Sequence, residues 1–236
     1  MSIKKPLDPN TSFLTPALNL VYKLIRFKYF HWRFIALGQV ADYVNFLRKE
    51  FGDVEICNRR ESVWKLIQTG ITKDKHSIVG VELGVAWGYL TWWWFKNANS
   101  AIHSWHGFDR FTGLPRSWRD HSEGAFSANG VPPQIDDSRI TWHIGDIENT
   151  IDNFEVSREV NQIYVVFFDF DLYEPSQIAW LKLKSILKPG DILYFDEAYD
   201  QDERRLISED ILPSGQFRFV GCNWYSLALE VTDISN

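Results

Sequence analysis

The sequence predicts an α/β fold: a doubly wound, mainly parallel sheet with an antiparallel C-terminal hairpin, preceded by helices. Three observations carry that expectation. From residue 77 onward, short apolar runs alternate with helical segments, and such alternation builds parallel sheets through right-handed crossovers. The runs SIVGVEL (77–83) and IYVVFFDF (163–170) are apolar almost throughout, as strands covered on both faces must be. Acidic residues stand at the ends of the runs, in FFDFDLYEP (167–175) and LYFDEAYD (193–200), where the strands of such a sheet open onto a ligand crevice.

Along the chain, Pro6, Pro9 and Pro16 mark an irregular lead, and helices are expected over about 17–36 and 38–51. A third is expected over 60–69, stopped by Gly70, because glycine is enriched just past helix ends. SIVGVEL is the first strand and 88–98 its helix, SWHGFD (104–109) the second strand, and RITWHIG (139–145) the third, with a short helix at 146–154. The fourth strand, 163–170, leads to a helix over about 175–187, and the turn Lys188-Pro189-Gly190 delivers the fifth, DILYFDE (191–197). A helix near 201–211 and a hairpin of 217–221 with 224–231, turning at Cys222-Asn223, complete the chain. Residues 1–56 therefore form a helical extension and 57–236 the α/β domain. The stretch 110–138 is too long for a plain connection and reads as a functional lid.

The chain of 236 residues, 45% hydrophobic and 24% charged, is long enough for one globular domain with its own core. Its two cysteines, Cys57 and Cys222, form no pattern, so neither a disulfide framework nor a zinc site is expected and a reducing, cytoplasmic setting is the default. No apolar run approaches the roughly 18 residues of a membrane span, and the first ten residues, MSIKKPLDPN, lack a secretory signal. Net charge is −6, with residues 1–50 at +5 and the remainder at −11. An acidic domain has no basic stripe for a phosphate backbone, which excludes nucleic acid as a partner. The basic, aromatic segment 18–37 suits a helix packed on the domain or across a homo-oligomer better than one lying on a membrane surface.

The first strand passes from Glu82 through Gly84, Val85 and Ala86 to Gly88 and straight into a helix. Gly84 permits a tight turn and Gly88 a close helix start. Ala86 stands where a dinucleotide loop has its second glycine, so a ligand without phosphates, such as S-adenosylmethionine, fits the loop better than a nicotinamide dinucleotide. Asp109, ending the second strand 27 residues after Glu82, can accept both ribose hydroxyls, and Asp146, after the third, can face the adenine edge with Ile147 against the ring. Asp146 reads equally well as a helix N-cap. Asp169, Asp171, Asp196 and Glu197 end the fourth and fifth strands. Carboxylates that converge repel one another, which calls for a cation among them, and oxygen-only ligands suit a hard divalent ion.

The segments GVELGVAWGYLT, HGFDRFTGLPRSW, FFDFDLYEP and LKPGDILYFDEAYDQDERR resemble the macrocin O-methyltransferase-type class I methyltransferases, over about residues 60–230. The resemblance implies an S-adenosyl-L-methionine-dependent, Mg²⁺-dependent O-methyltransferase acting on a small hydroxylated acceptor, such as a sugar of a natural product. Carried over position by position, Asp169 matches a metal ligand beside the cofactor and Asp171 the general base. Asp196 and Glu197 match a metal-binding pair that is Asp-Asp in relatives, so Glu197 departs from the pattern. Arg110, following Asp109 in the same motif, joins the cofactor pocket.

The chemistry agrees. A hydroxyl is too weak an acid to ionise unaided, so methyl transfer needs a carboxylate to take its proton and alignment of oxygen, carbon and sulfur. His121, in the lid, is an alternative base, while His103, His106 and His143 read as strand residues. Trp87, Trp118 and Tyr173 are candidates for stacking on an acceptor, and of Trp92, Trp93 and Trp94 at least one should be buried. Two other functions fit the same fold: a nicotinamide-dependent oxidoreductase, which would not need the acid pairs, and a catalytically silent adenosyl-binding or membrane-associated module.

Overall fold

A computed structural model describes residues 28–74, 76–154 and 158–234. The expected irregular lead, and the part of the first helix and of the basic aromatic segment before residue 28, lie outside the described residues. Helix α1 spans Lys28–Phe51 and continues through Gly38 as one helix where two were expected. An interior glycine costs about 1 kcal/mol against alanine, which the burial of Tyr43 and Leu47 on the domain outweighs. Helix α2 (Arg60–Lys73) likewise runs past Gly70, because the buried stripe Val63, Trp64, Ile67 and Ile71 extends beyond it.

Eight strands form one sheet: β1 Ile56–Cys57, β2 Ser77–Leu83, β3 Ile102–Asp109, β4 Ile140–Ile144, β5 Gln162–Phe168, β6 Ile192–Phe195, β7 Gly215–Asn223 and β8 Leu227–Ile234. Their order is β1-β7-β8-β6-β5-β2-β3-β4. All neighbours are parallel except β8, which runs antiparallel to both β6 and β7. The doubly wound prediction holds, hairpin included. The hairpin turns at 224–226 rather than at Cys222-Asn223: Cys222 is a buried strand residue paired with Leu227, and Asn223 Oδ1 accepts the N–H groups of Tyr225 and Ser226 to make the turn.

Helices α3 (Tyr89–Ala98), α4 (Ile147–Thr150), α5 (Tyr173–Leu183) and α6 (Gln201–Arg205) complete the layers, with Leu206–Ile211 continuing α6 as a wider π turn. Alternation along the strands divides the core. Tyr164, Val166 and Phe168 face α1 and α5, whereas Ile163, Val165 and Phe167 face α2 and α3. Each fully buried side chain of this size contributes about 1.5–3 kcal/mol. The three consecutive tryptophans point three ways, with Trp94 buried and Trp92 exposed. Among the described residues no helix is long and apolar enough to cross a membrane.

Candidate active site

Strand register assembles the site. Leu83 pairs with Phe108 and Phe168, and Phe168 with Phe195. The next residue of each strand path, Gly84, Asp109, Asp169 and Asp196, therefore stands in one row at the carboxyl ends. Above this row lies a cavity of about 750 Å³, lined among others by Glu82, Gly84, Val85, Asp109, Arg110, Asp146, Ile147, Asp169, Asp171, Asp196 and Glu197. Of the expected cofactor, metal and catalytic residues Gly88 is placed elsewhere: with φ +76 it caps α3 in the left-handed region, and a Cβ on it would meet Pro133 at 2.6 Å. Gly84 is required for the same two reasons, having φ +96 and the backbone oxygen of Asp169 only 2.0 Å from where a Cβ would be.

At one end of the cavity Asp109 is bound by backbone. Its Oδ2 accepts the N–H groups of Val85 and Ala86, both at 2.8 Å, and its Oδ1 that of Phe111 at 2.6 Å. Oδ2 is thereby filled, and Oδ1 keeps room for one further donor. The carboxylate thus fastens the loop of the cavity where it was expected to meet the ribose. Asp146 occupies the N-cap position of α4 without making a cap hydrogen bond; its carboxylate instead lines the cavity and pairs with Arg110 at 3.4 Å. Glu82 is 1% exposed; its Oε2 accepts from Thr91 Oγ1 and, at 2.8 Å, from Trp105 Nε1. Burial pushes its carboxyl up to about 8.

At the other end acids crowd. Asp169 and Asp171 are both held well above the usual carboxylate range, first by burial and then by the neighbouring charges of Asp196 and Glu197, with Arg119 pulling Asp171 the other way. Burial and Asp196 push Glu197 up to about 7, against the pull of Arg119. Glu203 lies fully buried beneath, its Oε2 accepting the N–H of Glu197 at 3.0 Å and its Oε1 without a hydrogen-bond partner. Asp171 adopts φ +63, a strained conformation for a residue with a side chain.

The expected Mg²⁺ ligand set, Asp169, Asp196 and Glu197, is not assembled. Asp196 Oδ1 accepts from Tyr194 Oη at 2.8 Å and its Oδ2 from Arg60 Nη1 at 2.8 Å. Glu197 Oε2 accepts from Arg119 Nη2 at 3.1 Å. Among the described residues no three His, Cys, Asp or Glu side chains are grouped to hold an ion. The ligands do not fit the metal because guanidinium groups already bind two of the three. By contrast, no ion pair among the described residues involves Asp169 or Asp171.

Arg60, Arg119, Asp200 and Glu203 were missed in the sequence. The arginines carry no local signal; the run of Arg110, Arg116 and Arg119 in the lid, opposite acidic strand ends, is the only hint. The lid itself is ordered around Leu114, Trp118 and Leu172. His121 lines the cavity while stacked on Trp118, and Trp87, 65% exposed, stands at the mouth. Tyr173 turns away from the chemistry and donates to Asp210 Oδ2 at 2.9 Å. His106 and His143 pair through ring nitrogens 3.2 Å apart against Phe108 and Phe154, and burial lowers His106 to about 4.

No protein-family model and no curated protein matches this sequence. Among solved structures, CalS11, a calicheamicin methyltransferase, superposes with a TM-score of 0.52 at 17% identity, covering 82% of this chain and 91% of that one. The O-methyltransferase NovP superposes with a TM-score of 0.52 at 12% identity, covering 73% of this chain and 78% of that one. The architecture is the Rossmann-like fold of the class I methyltransferases.

Proposed function

We propose that this chain is an S-adenosylmethionine-dependent O-methyltransferase for a small hydroxylated molecule, with Asp171 as general base. The observation that supports it most is a single cavity bordered by Gly84, Asp109 and Asp146 at one end and by Asp169 and Asp171 at the other, on a sheet of methyltransferase order. When bound, S-adenosylmethionine supplies a sulfonium methyl group. The chain's own residues do the rest. The loop 84–86, tied down by Asp109, and Ile147, buried at the cavity wall, hold the adenosyl part. Asp146 meets the adenine edge.

Asp171, without an ion pair of its own, takes the acceptor's proton. Its raised pKa makes it a stronger base once ionised, and general bases work best with a pKa near the working pH. Trp87, His121 and Phe126 border the mouth and suit the apolar face of a sugar or an aromatic ring. The likeness to CalS11 and NovP adds support for methyl transfer to oxygen, while the acceptor's identity is set by the lid of this chain.

The test is direct. S-adenosylhomocysteine should raise the thermal midpoint, as any ligand of the folded state does, and a labelled methyl donor should yield O-linked products with a panel of sugars and phenols. A folded protein whose midpoint is unmoved by millimolar S-adenosylhomocysteine refutes the assignment.

A further inference from the structure

We infer that Arg60 and Arg119 hold the place among Asp196, Glu197 and Asp200 that a divalent cation needs, so that methyl transfer by this chain requires no metal. The inference rests on the methyltransferase reading above and extends it to the residues that neutralise the site.

Arg119 is built into position. Its Nε donates to Asp200 Oδ2 at 2.9 Å and its Nη2 to Glu197 Oε2 at 3.1 Å, with Nη2 also 2.8 Å from Asp200 Oδ2. The guanidinium lies over the ring of Trp118, 3.9 Å from its centroid, and 4.6 Å from that of Tyr199. Its side chain is only 18% exposed. The backbone at Arg119 takes φ +53, and Trp118 bridges to His121 across this turn, so a left-handed turn of the lid presents this cation. A flat fork of donors between two aromatic rings is a site that a bare ion would fill less well.

Arg60 supplies the second positive charge from the start of α2, bonding Asp196 whose other oxygen already accepts from Tyr194. Two guanidinium groups give the same total charge as one divalent ion. They leave Asp169 and Asp171 unpaired on the cavity wall, where an acceptor hydroxyl must be deprotonated. Because Arg119 belongs to the 110–138 segment, the acid cluster is neutralised only while that segment is seated. Arg119 is thus a positioning residue: it touches the carboxylates beside the base, not the reacting atoms.

Mn²⁺ titration of the protein saturated with S-adenosylhomocysteine, followed by the electron paramagnetic resonance signal of free Mn²⁺, tests this. The wild type should leave the signal undiminished, and its methyl transfer should be unchanged in EDTA. Arg119→Gln should bind Mn²⁺ at least about tenfold more tightly, since one less positive charge then faces the carboxylates. Arg119→Lys should stay near the wild type, which a merely structural role would not produce. Arg60→Gln provides the second variant should Arg119→Gln not fold. Equal Mn²⁺ affinity in the wild type and the Gln variants, or transfer that stops in EDTA, overturns the inference. The S-adenosylhomocysteine midpoint shift, read in the same samples, reports separately on the cofactor reading.

Discussion

Asp109 and Asp196 stand in the same row at the carboxyl edge of the sheet, one residue beyond paired strand positions, yet they are satisfied in opposite ways. Asp109 accepts three backbone N–H groups from chain segments immediately beside it. Asp196 and its neighbours face other carboxylates, and are held by arginines 136 and 78 residues away in sequence. The first arrangement costs little to form, because loop amides need an acceptor in any case. The second is expensive: charges brought together out of water repel, and each survives by pairing, by taking a proton or by a raised pKa. In the proposed function the costly end carries the reaction, and the inexpensive end only holds a ligand.

Four variants break or sharpen this contrast. The largest effect is expected from the pair Asp171→Asn and Asp109→Asn. Asp171→Asn should lower methyl transfer by about 10²–10⁴-fold, the usual contribution of a general base, with the S-adenosylhomocysteine shift retained. Asp109→Asn should do the reverse, weakening the shift by disturbing the loop at 84–86. Loss of both functions in both variants would erase the distinction between the two ends.

Glu82 gives an effect in stability with pH. Its folded carboxyl is raised to about 8 from an ordinary value of 4.5, so the folded state binds the proton more tightly than the unfolded one. The stabilisation is full below the unfolded value and is lost as pH rises through about 8, at about 1.4 kcal/mol per pH unit within that window. Glu82→Gln, neutral throughout, should flatten this dependence and melt higher than the wild type at pH 8. Thermal midpoints from pH 5 to 8 check it; parallel curves would mean the carboxylate is ionised in the fold.

The smallest effect should come from Gly84→Ala, at the joint between the two ends. The added methyl group meets the Asp169 carbonyl in a left-handed conformation, and should cost at least about 2 kcal/mol of stability in a denaturant titration. It should also perturb both the cofactor shift and transfer, since Gly84 and Asp169 move together.

Much of this was legible before folding. The strands were readable because two-sided burial demands unbroken apolar runs, and the acids at their ends because polar residues in such runs can survive only at an opening. Helix ends at Gly38 and Gly70 were misplaced, since a glycine's local penalty is smaller than the burial gained on either side of it. Tyr173 was misread for a different reason: its direction depends on Asp210 and Arg205, which reach it across the fold.

The amino-acid order determined the sheet, its sense of winding and the row of acids, because these follow from local periodicity and from where each strand stops. What neutralises those acids was decided in three dimensions only. Arg60 and Arg119 come from segments far removed in sequence, and charge pairing acts through space, leaving no periodic trace along the chain.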